Sequence, residues 1–121
     1  MLVLLLLAAA QGVEEIPVAP GDWPWWRGPR RDGSADAGQV LPTTWSATDH
    51  VAWKAPVPGR GHGSPTVVGG HVYLAACDEP SGSQSLLCFD RATGRPVWSA
   101  EVHRDGAMFK NPKATGASAT P

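Results

Sequence analysis

Apolar residues in this chain come in short runs separated by glycine, proline and small polar residues, and the densest set lies between residues 64 and 102. Thr66, Val67 and Val68 are β-branched and run into Gly69-Gly70, a pair suited to a tight hairpin turn. Along residues 71–77, Val72, Leu74 and Ala76 share one face of a strand while Tyr73, Ala75 and Cys77 share the other. Both faces are largely apolar, which fits a sheet covered on two sides better than one with a wet face. The pattern predicts four strands, over 64–68, 71–77, 86–90 and 96–102, joined by Gly69-Gly70, a polar loop over 78–85 and a turn over 91–94. A further short strand is predicted over 51–57, ended by Pro56, Pro58 and Gly59. No stretch carries a long helical period, and 14 Gly and 12 Pro punctuate the chain, so the fold class is all-β.

A repeat sharpens this to an architecture. Thr48, Trp53, Ala55 and Val57 recur as Thr93, Trp98, Ala100 and Val102, each 45 residues later, a period in the range of β-propeller blades. One complete four-stranded blade with flanking strands is therefore expected. A closed ring needs about four blades or more, so these 121 residues read as the amino-terminal part of a longer propeller. Gly63-Ser64-Pro65 is echoed by Ala119-Thr120-Pro121, where the next blade is expected to begin.

Four regions follow. Residues 1–10 are an apolar, signal-like run, too short to span a bilayer, with Ala8 and Ala10 placed as an Ala-x-Ala cleavage site before Gln11. Export to the periplasm or cell envelope is the expectation, with no stable membrane span. Residues 11–22 form a linker, 23–50 a Trp/Arg-rich amino-terminal segment, and 51–121 the propeller repeat region. A net charge of −1 offers no basic field for nucleic acid.

The run Cys88-Phe89-Asp90-Arg91-Ala92-Thr93-Gly94-Arg95-Pro96-Val97-Trp98 resembles the repeat of the quinoprotein-alcohol-dehydrogenase-like β-propellers, the pyrroloquinoline-quinone (PQQ) repeat superfamily. Asp90, Thr93, Gly94 and Trp98 occupy its marked positions, with Cys88 where Ala is usual. Residues 23–33 resemble the amino-terminal segment of envelope propellers from planctomycete-like bacteria. The resemblance implies a blade-docking device, in which Gly94 takes a positive φ, Asp90 and Thr93 hold the turn, and Trp98 wedges between blades. It also implies two functional alternatives. One is a cofactor-free scaffold or protein-interaction module, similar to the outer-membrane assembly propeller, whose partners are the other blades and envelope proteins. The other is a PQQ-dependent oxidoreductase using PQQ with Ca²⁺, its active site lying outside these residues.

The remaining chemistry is sparse. No catalytic, cofactor-binding or metal-binding residue stands out: His50, His62, His71 and His103 follow no metal spacing, and Gly61-His62-Gly63-Ser64 lacks the order of a nucleophile elbow. Cys77 and Cys88 are placed symmetrically about residues 82 and 83, which would set them opposite each other as a disulfide in an oxidising compartment; two buried thiols are the alternative. Trp23, Trp25, Trp26 and Arg27, with Arg30 and Arg31, form a binding patch suited to carbohydrate, or else an aromatic closure beneath the propeller.

Overall fold

The computed structural model describes residues 15–104 and 113–121. The signal-like run and its cleavage site lie outside the described residues. Four strands, β1 (Thr66–Val68), β2 (His71–Asp78), β3 (Ser83–Asp90) and β4 (Pro96–Arg104), form one antiparallel sheet in the order β1-β2-β3-β4. Among the described residues there is no helix, so none long and apolar enough to cross a membrane. The fold is an all-β propeller blade.

Register explains how the two faces are built. Tyr73 pairs with Cys88 and Cys88 with Trp98, so these three side chains form a row on one face, with the Tyr73 and Trp98 ring centroids 6.1 Å apart. On the other face Ala76, Leu87 and Phe89 form the buried core, packed by Val72 and by Ala55 from the preceding segment. Both faces are thus apolar, as the alternation requires. β4 is different: all nine of its residues are exposed, and two bulges, at Gln84/Ser85 and Cys88/Phe89, shift its pairing with β3.

Two expectations need correction. Residues 51–57 form no strand. Pro56 cannot donate to a ladder; the segment instead runs over the core face as a strap, with Ala55 packed on the core and Pro56 and Pro58 lining a small cavity with Leu87 and Phe89. β3 begins at Ser83, not residue 86. The polar triplet Ser83-Gln84-Ser85 resembles a loop but pairs with Asp78, Cys77 and Ala76, leaving a hairpin loop of only residues 79–82.

That shift also removes the disulfide. Cys77 pairs with Gln84 and Cys88 with Tyr73, so the two cysteines sit four residues apart along the sheet, about 13 Å at 3.3 Å per residue. A bridge requires Cα atoms within about 7 Å. Both thiols are free and buried, and burial pushes the Cys88 thiol up, away from the reactive thiolate.

Flanking segments cover the β1 side of the sheet and leave β4 open. Trp23 pairs with Val67 through two backbone hydrogen bonds of 2.8 and 3.0 Å, extending β1. Arg60 pairs with Cys77 through two of 2.9 Å, covering the part of β2 that short β1 leaves bare. Beyond Arg60, residues 115–121 run beside the approach to β1. His62 N–H donates to the Ala117 carbonyl, Ser64 N–H to Thr120 Oγ1, and Thr66 Oγ1 to the Pro121 carbonyl at 2.9 Å. The echoed triplets 63–65 and 119–121 therefore lie side by side, as the starts of consecutive blades would.

Candidate functional site

The β3–β4 turn is built from the residues the repeat marks. The Asp90 carboxylate accepts from Thr93 N–H at 2.8 Å and Thr93 Oγ1 at 2.6 Å, while Gly94 N–H donates to the Asp90 carbonyl at 2.8 Å. These bonds from Thr93 hold the Asp90 carboxyl below its ordinary range. Gly94 sits at φ +70°, which a side chain would strain.

A second constraint on Gly94 comes from Trp53. The indole lies on the glycine so closely that a Cβ there would overlap three of its ring atoms, and its Nε1–H donates to the Arg91 carbonyl at 2.8 Å. Trp53 is the residue whose echo is Trp98. One repeat's tryptophan is therefore seated on the next repeat's turn, and Trp98 presents the equivalent indole, still 43% exposed, from β4. Trp53 was legible as a repeat position, but not as the partner of Gly94.

Arg91 and Asp22 join the same end of the sheet to the amino-terminal segment. Buried Asp22 accepts from Ala19 N–H (3.0 Å), Gly69 N–H (3.1 Å) and Arg91 Nη1 (3.0 Å), and Arg91 also donates to the Gly69 and Gly21 carbonyls. The two hairpin turns at this end of the sheet, β1–β2 and β3–β4, are tied with the amino-terminal segment by one ion pair. Nothing in the sequence marks a pairing 69 residues apart. The Ala19 amide above all, then Gly69 and Arg91, lowers the Asp22 carboxyl below its ordinary 3.8 despite its burial. A carboxylate depressed on folding stabilises fully above its unfolded pKa and loses that contribution as pH falls through the folded value. Stability should therefore decline below about pH 4. Asp22→Asn, which turns an amide against the Ala19 N–H, should cost about 1–3 kcal/mol at pH 7 and flatten that decline, read by urea melts at several pH values.

The Trp/Arg segment is divided between structure and surface. Trp23 packs on Gly28, where a Cβ would fall 2.8 Å from the ring. Trp25 and Trp26 are 37% and 64% exposed; Arg31 lies over Trp25 at 5.1 Å and Arg27 over Trp26 at 5.6 Å. Arg27 and Arg31 hold left-handed backbone, φ +68° and +58°. Arg30 is spent internally, on Asp36 and on the Ser34 and Ala35 carbonyls.

The family model of the outer membrane protein assembly factor BamB matches residues 35–118, spanning the strap, the sheet and the start of the return segment. The chain belongs to this family. The matched range contains Trp53, the Asp90–Gly94 turn and all of β4. Searches of curated proteins and of solved structures return no match.

The related propeller enzymes hold PQQ with Ca²⁺, and the described residues offer no clustered set of side chains of that kind. No group of three or more His, Cys, Asp or Glu converges among them, and the two cysteines are buried and far apart.

Proposed function

We propose that this BamB-type chain is exported and contributes a blade to an envelope scaffold that binds other proteins. The observation that carries the reading is β4: nine consecutive exposed residues on an outer strand, including Val97 and Val102 at 50% and 64% exposure. Such a strand can extend into a partner by backbone pairing, with alternate side chains reading the partner's surface. The family's description as an assembly factor supports the same direction.

Expression of the full chain tests each half. Export predicts mature protein beginning at Gln11 in the periplasmic fraction; recovery only from cytoplasm, with residues 1–10 intact, would defeat it. A photo-crosslinker at Val102 should join the protein to a discrete envelope partner, and Val97→Pro, which distorts β4 beside Pro96, should abolish that product. Quinone absorbance and dye-linked alcohol oxidation after addition of PQQ and Ca²⁺ would instead identify an oxidoreductase.

A further inference from the structure

Trp25, Trp26, Arg31, Thr120 and Pro121 line a cleft of about 430 Å³, within the range that takes small ligands. The rings are held open to solvent rather than packed away, unlike Trp23. Arg31 pairs with no described carboxylate in this structure, whereas neighbouring Arg30 is fixed by Asp36 and Asp32. With the guanidinium carbon 5.1 Å from the Trp25 centroid, the cation sits over the indole while its N–H donors remain free of any described carboxylate. The cleft thus combines flat apolar faces, an anion-seeking fork beside them, and the Thr120 hydroxyl.

We propose that this cleft binds an acidic oligosaccharide, with sugar rings stacked on Trp26 and the exposed part of Trp25 and a sugar carboxylate or sulfate received by Arg31. Neutral sugars satisfy the indoles but leave the guanidinium without a partner; simple anions satisfy the guanidinium but leave the indoles bare. Arg27 and Arg31 both hold left-handed backbone, which Asn also tolerates, so the charge can be removed without refolding the loop.

Titration of the full chain by calorimetry and tryptophan quenching decides the matter. Trigalacturonate tests the carboxylate source, a sulfated chondroitin tetrasaccharide the sulfate source, and cellotriose and hexaglutamate supply sugar without charge and charge without sugar. At least one acidic sugar should bind about tenfold or more tighter than either control. Arg31→Asn should bring that ligand down to the affinity of cellotriose, and Trp26→Ala should weaken it about tenfold, both variants keeping the wild-type circular dichroism. Failure of both acidic sugars to bind, equal binding of cellotriose or hexaglutamate, or an unchanged affinity in folded Arg31→Asn would each overturn the assignment.

Discussion

Gly94→Ala should destabilise the full chain by about 2–4 kcal/mol, combining left-handed strain of about 1–2 with the displacement of a packed ring. The expected cause is as informative as the size. A Cβ at this position overlaps the Trp53 indole, and moving that indole also breaks its bond to the Arg91 carbonyl. In a Trp53→Ala background the ring is gone and only the backbone strain remains, so the same substitution should cost about 1–2 kcal/mol. A double-mutant cycle from denaturant midpoints measures the difference. Equal costs in both backgrounds would mean that the glycine serves the turn alone and that no indole is seated on it.

Gly59→Ala is expected to cost about 3 kcal/mol or more, for a different reason. Gly59 sits at φ +77°, and a Cβ would fall 2.7 Å from the Cys77 carbonyl carbon and closer still to its oxygen. Both neighbours are backbone, so nothing flexible can yield. Relief requires opening the Arg60–Cys77 pair, with the loss of two hydrogen bonds at about 0.5–1.5 kcal/mol each on top of the strain. Gly38 supplies the control: its φ is +103°, yet nothing lies within 4 Å of its Cβ position, so Gly38→Ala should show strain without collision and a smaller loss. Amide exchange at Cys77 should quicken in Gly59→Ala and not in Gly38→Ala. Similar losses in the two variants would remove the close approach as the cause.

The blade was legible where chemistry is local. Val67-Val68-Gly69-Gly70, the alternation of β2 and the Asp-x-x-Thr-Gly turn each specify their own geometry within a few residues, and the structure places them accordingly. What stayed hidden depends on distant partners. Ser83, Gln84 and Ser85 have the composition of a loop, and only pairing on both sides, with β2 and β4, makes them strand. The disulfide expectation inherited that error, since moving the hairpin centre by two residues moves each cysteine's partner by four. Residues 51–57 have the apolar content of a strand but the prolines of a strap. The Asp22–Arg91 pair left no trace in the sequence, because an aspartate in a loop and an arginine in a turn are ordinary there; their meaning comes from two hairpin ends meeting one amino-terminal segment.

The route of the polypeptide also determines where it tolerates additions. Because residues 115–121 come back to the start of β1 rather than continuing outward past β4, the chain comes in and goes out along one rim of the blade. The four-residue hairpin loop at 79–82 joins two strands of the same unit and, among the ion pairs of the described residues, meets the incoming segment through Glu79, 3.7 Å from Arg60. A peptide tag or a small folded domain grafted there, with closely spaced termini, should ride on the protein as a passenger without altering the number of units around the ring.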